Sequence, residues 1–88
     1  MTKEDIFEPP IAETDVDHIL DATGLLCPEP VMMLHNAVRD ANTGEVIQVM
    51  ATDPSTMKDI LRFCDFLGHE LIGQKTLGDA YYHWIRKV

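Results

Sequence analysis

Among the side chains able to do chemistry in this 88-residue chain, the two cysteines stand in contrasting surroundings. Cys27 follows Thr23-Gly24-Leu25-Leu26 and opens a Cys-Pro-Glu-Pro run. Pro28 suits the first turn of a helix, which puts Cys27 at or beside an N-cap. There the unpaired backbone N–H groups and the positive end of the helix dipole converge. Both favour an anion, so this placement predicts a thiolate that forms at lower pH than in a free cysteine. Pro28 and Pro30 fix φ at two of three consecutive positions and remove two N–H groups. That leaves Glu29 and Val31 as the expected donors to sulfur, with the thiol turned outward. The charge of Glu29 opposes a thiolate unless its side chain points away.

Cys64 reads differently. Met57, Ile60, Leu61, Cys64 and Leu67 recur at the spacing of one buried helical stripe. A cysteine in apolar company has a raised pKa and serves packing. The four histidines (His18, His35, His69, His83) show no Cys-x-x-Cys or His-x-x-x-His spacing, so no metal site is expected. His18 and His69 fall at strand starts and His83 within the last strand, all three read as surface or edge residues. A resolving thiol three positions after Cys27 would be needed for self-contained disulfide exchange, and that position is Pro30. A single-thiol site suits a group that enters from one molecule and leaves to another.

The elements that position these residues are legible from pattern. His18–Ala22 reads as a strand closed by Thr23-Gly24. A helix is expected from Cys27 to about Ala41, with Val31, Leu34, Val38 and Ala41 as its core stripe. Residues 45–51 (EVIQVMA) form a largely buried strand. Asp53 as N-cap and Pro54 as first helical residue open a second helix that ends at Gly68. Strands near 69–74 and 81–86 flank a turn at Leu77-Gly78-Asp79. The order βαβαββ, with right-handed crossovers, places both helices on one face of a four-stranded mixed sheet. The expected fold class is therefore α/β (α+β), a two-layer sandwich.

At this length the chain forms one domain, read as residues 18–88 behind a flexible acidic leader, residues 1–17. The formal charge of −8 is concentrated in that leader, which holds six acids and one lysine. An acidic balance repels phosphate backbones, so no direct nucleic-acid ligand is expected. No apolar run reaches the roughly 20 residues of a membrane span, and no secretory signal is apparent. The cytoplasm, where thiols stay reduced, is the expected compartment.

The segment from Leu20 through Cys27-Pro28-Glu29-Pro30 to Met33, followed in order by Asp53-Pro54, Phe63-Cys64 and His69-Glu70-Leu71, resembles the TusA/SirA family of sulfur carriers over residues 18–88. The resemblance implies a persulfide on Cys27, supported by Pro28, Glu29 and Pro30. It also implies a cysteine desulfurase as donor and a downstream sulfur-relay protein as acceptor, with no cofactor. The sulfur would end in the 2-thio group of tRNA wobble uridine, or in molybdenum-cofactor assembly or sulfur oxidation. Such a protein is a carrier with a covalent intermediate rather than a free-standing turnover enzyme. Met33 and Phe66 fall off the buried stripes and are expected to dock partners, together with His35, at a position often basic in relatives, and Arg39. Met32 is a weaker candidate. Two rivals have other signatures: a regulatory or RNA-binding module of the same fold would show salt-sensitive RNA binding, and a thiol hydrolase or peroxidase would turn over without a protein partner.

Overall fold

The computed structural model describes residues 16–88, so the leader lies outside it save for its last two residues. The elements are β1 (His18–Ala22), α1 (Glu29–Asp40), β2 (Val46–Ala51), α2 (Thr56–Leu67), β3 (Glu70–Leu77) and β4 (Ala80–Arg86). β1 runs parallel to β2, and β4 lies antiparallel between β2 and β3, giving the sheet order β1-β2-β4-β3. The last two strands join through Gly78-Asp79, with Gly78 at positive φ. This is the expected mixed sheet with two helices.

Both helices press on one face. Leu34 and Val38 of the first helix with its C-cap Ala41, and Ile60, Phe63 and Cys64 of the second, share a core with Ala22, Ile47, Val49 and Ile85 of the sheet. Each fully buried Leu or Ile in that layer stabilises the fold by roughly 1.5–3 kcal/mol. His83 and Ile85 face the helices, so Trp84 between them points to the opposite face. There it stacks beside Tyr82 and donates its indole N–H to Gln48 Oε1 at 3.0 Å.

The buried stripe of α2 is rotated from its expected position. It runs through Thr56, Ile60, Phe63 and Cys64, while Leu61 is 50% exposed and Leu67 42%. Met57 is only half-buried. The helix meets its neighbours on two sides, the sheet and α1, and Phe63 fills the angle between them.

His83 is also misplaced by the sequence reading. It is fully buried instead of lying at a surface or edge. It is tolerable there because each nitrogen has a partner: Nε2 lies 3.2 Å from Thr56 Oγ1 and Nδ1 3.0 Å from Gln74 Nε2. Thr56 Oγ1 donates to the Asp53 carbonyl at 2.7 Å, and Gln74 Nε2 also donates to the Met57 carbonyl at 2.9 Å. The threonine hydroxyl therefore accepts from Nε2–H, and Nδ1 accepts from the glutamine amide. That is a neutral imidazole in one tautomer. Burial pushes its pKa down to about 4.

Candidate functional site

The loop between β1 and α1 carries Cys27, and four contacts shape it. Asp21 Oδ1 accepts the N–H and hydroxyl of Thr23, at 3.0 and 2.6 Å. Gly24 turns the chain at φ +80, a conformation side chains rarely adopt. Its N–H donates to Thr52 Oγ1 at 2.8 Å. The Cys27 N–H donates to Asp53 Oδ2 at 2.8 Å. The Thr52-Asp53 pair that leaves β2 thus clamps both ends of the cysteine loop.

Asp53 serves two elements at once. Its second oxygen, Oδ1, accepts the Ser55 N–H at 2.9 Å, and its carbonyl accepts the Thr56 N–H at 3.1 Å. The sequence pattern predicts Asp53 as the N-cap of α2, but the N-cap is Ser55 and the regular helix starts at Thr56, so Asp53 instead fastens the tighter turn through Pro54 and Ser55 that leads into it. Hydrogen bonds from Ser55 and then Cys27 hold the carboxylate below the usual range.

Cys27 stands two residues ahead of the helix. Pro28 is the N-cap, and the Cys27–Pro28 peptide bond is cis. Glu29 opens the helix, and Pro30 follows it with its ring buried against the core. The thiol is exposed, as expected. Its expected surroundings are not found. The Glu29 N–H donates to the Leu26 carbonyl at 2.9 Å and is unavailable to sulfur. The Asp59 carboxylate raises its pKa most, and partial desolvation and the charge of Asp53 add to the rise. Only the Ser55 hydroxyl opposes it. The direction is opposite to the one expected from the helix terminus alone, and the two carboxylates are its cause. Glu29, expected to matter for that balance, is exposed.

An open groove of about 360 Å³ runs from this sulfur between the two helices, lined by Cys27, Pro28, Val31, His35, Asp59, Arg62, Phe63, Phe66 and Leu67. His35 packs edge-on to Phe63 with ring centroids 4.7 Å apart. Phe66 is 88% exposed at the rim. The structure thus brings Cys27, Pro28, His35 and Phe66 together. Met33 does not join them: it is half-buried against the core, and Met32 is the exposed methionine of the pair. Arg39 lies off the groove, beside Asp40 at 3.4 Å. Asp59 and Arg62 were missed by the sequence reading. Their three-residue spacing places them on one side of α2, but nothing in the chain order tells that this side meets Cys27.

Cys64 is 2% exposed, and desolvation followed by the charge of Asp65 pushes its pKa up to about 11. It packs the core, as its spacing predicts. No helix among the described residues is long and apolar enough to cross a membrane.

Comparison with known proteins agrees with this architecture. The family model described as "Sulfurtransferase TusA" matches residues 18–87. The chain is 64% identical over 72 residues to the sulfur carrier protein TusA of Pseudomonas paraeruginosa, covering 82% of this chain and 91% of that protein. It is 55% identical over 78 residues to the protein of the same name from Pseudomonas syringae pv. tomato, covering 89% and 93%. A crystal structure of a SirA-like protein from Desulfitobacterium hafniense superposes with a TM-score of 0.71 at 18% identity, covering 80% of this chain and 96% of that one, a likeness of fold.

Proposed function

The chain belongs to the TusA family of sulfur carriers, and from that premise we propose that Cys27 is the atom that bears the sulfur. One observation carries the reading: of the two thiols, only that of Cys27 is open to another protein. The Cys27 thiolate attacks the outer sulfur of a donor's persulfide. A new S–S bond forms to Cys27, the donor's inner S–S bond breaks, and the donor leaves as a thiolate. The proton lost from Cys27 is regained by the donor thiolate, so the exchange consumes no oxidant or reductant. An acceptor thiolate then removes the outer sulfur by the same step in reverse.

The donor class we assign is a cysteine desulfurase, and the end use is the 2-thio group of tRNA wobble uridine. Both rest on the sequence resemblance. A cytoplasmic setting follows from the chemistry, since an exposed thiol that must cycle through a persulfide needs reducing surroundings. Residues 18–88 are the carrier unit in this reading, and residues 1–17 a separate leader.

Mass spectrometry after incubation with a cysteine desulfurase and free cysteine tests the assignment. The Cys27 peptide should gain the mass of one sulfur atom. Cys27→Ser should abolish that gain and Cys64→Ser should preserve it. Loading that survives Cys27→Ser would refute the assignment.

A further inference from the structure

The acids beside Cys27 are a liability for any enzyme that must attack a small substrate unaided. A carboxylate against a thiol suppresses the nucleophilic form. Asp59 projects from α2 into the groove that starts at the sulfur, and Asp53 holds the backbone of the same residue. The other charged or titratable groups facing Cys27 are few. His35 comes from α1 and Arg62 lies on the next turn of α2, while Glu29 at the start of α1 is exposed and outside the groove. Arg62 is one turn from Asp59, yet among the described residues neither enters an ion pair. The Asp59 carboxylate therefore has no ion-pair partner among the described residues, in a groove with an exposed aromatic rim.

We propose that Asp59 restrains Cys27 in the free carrier, holding the sulfur as a neutral thiol until a lysine or arginine of the docking protein pairs with that carboxylate. Asp59 is a positioning residue: it transfers no sulfur and sets when Cys27 can. When the cation arrives, the charge opposing ionisation is cancelled. The thiol proton then passes to solvent or to the partner, and the thiolate is formed where the donor's persulfide is already seated. A carrier built this way does not react with stray electrophiles between partners. The role depends on Cys27 being the sulfur-bearing atom, as proposed above.

The test reads the rate of Cys27 alkylation by iodoacetamide between pH 6.5 and 10, in the full chain, resolved by peptide mass spectrometry. Asp59→Asn keeps the side chain's shape and removes its charge. Its profile should shift to lower pH, giving roughly three- to tenfold faster alkylation at pH 7.5. Trp84 fluorescence confirms that the variant is folded. Hexalysine added to the parent protein should shift the profile in the same direction, and should shift that of Asp59→Asn much less. A profile that Asp59→Asn leaves in place or moves upward overturns the proposal, as does a parent profile indifferent to hexalysine. Alkylation requires no sulfur donor. A Cys27 that never loads sulfur would defeat the relay reading and leave these profiles untouched, whereas an unmoved profile defeats the restraint alone.

Discussion

Acidification should destabilise this protein through one buried side chain. His83 is neutral in the fold, with a pKa of about 4 against the ordinary 6.5. Its stabilising contribution is complete above pH 6.5, where folded and unfolded chains both hold it neutral. As pH falls from 6.5 towards 4, the unfolded chain takes up a proton that the folded one refuses, and stability drops by up to about 1.4 kcal/mol per pH unit. The full window is worth about 3 kcal/mol, and the step from pH 7 to pH 5 about 2 kcal/mol, a large share of a small domain's stability. Urea unfolding followed by Trp84, the only tryptophan and itself fully buried, measures this directly. His83→Gln is the control, since its amide offers one donor and one acceptor but does not titrate. The variant will be less stable at pH 7, but its stability should fall less steeply to pH 5, by about 2 kcal/mol. Parallel pH dependences for parent and variant would refute the reasoning. Subtraction removes the contributions of the other histidines and the carboxylates.

Two further substitutions separate docking from positioning. Phe66→Ala removes an almost fully exposed ring, so unfolding free energy should change by no more than about 0.5 kcal/mol. Sulfur loading of Cys27 from a desulfurase should nonetheless slow, which a time course by mass spectrometry would show. Asp53→Ala removes the acceptor of the turn that leads into α2 and the tie to the Cys27 N–H together, and should cost about 1–2 kcal/mol in urea unfolding. It should also speed hydrogen exchange at the Cys27 amide, which no longer has its acceptor.

How much of this was written in the sequence depends on the range of the interaction concerned. β1 was located to the residue, because a short apolar alternation ends in Thr-Gly, and Gly24 and Gly68 marked real changes of direction at positive φ. Cys64 was placed correctly, because burial of an interior stripe position follows from helical spacing alone. The failures arose where a second element intrudes. Leu61 and Leu67 share a stripe with Ile60 and Cys64 on a lone helix, yet α1 draws Phe63 inward instead. His83 alternates as an edge residue should, but three polar atoms from α2 and β3 make room for it. The electrostatics of Cys27 were read from its own helix. The residues that raise its pKa, Asp53 and Asp59, arrive from α2 and the loop before it, a whole crossover later.

The raised pKa of Cys27 bears on the second half of the relay as much as on the first. Removal of the outer sulfur expels Cys27 as a thiolate, and a thiolate of higher pKa is a poorer leaving group. The carboxylates that suppress attack by the empty carrier therefore also slow loss of sulfur from the loaded one. Once deprotonated, a thiolate of higher pKa is in turn the stronger nucleophile. Cancelling the charge of Asp59 at a docking interface thus favours ionisation when the carrier is empty and departure of the inner thiolate when it is full. One residue on the neighbouring helix would confine sulfur movement to the docked state in both directions. It follows that the persulfide on Asp59→Asn should be stripped by dithiothreitol several-fold faster than that on the parent, because the leaving group is improved without any partner present.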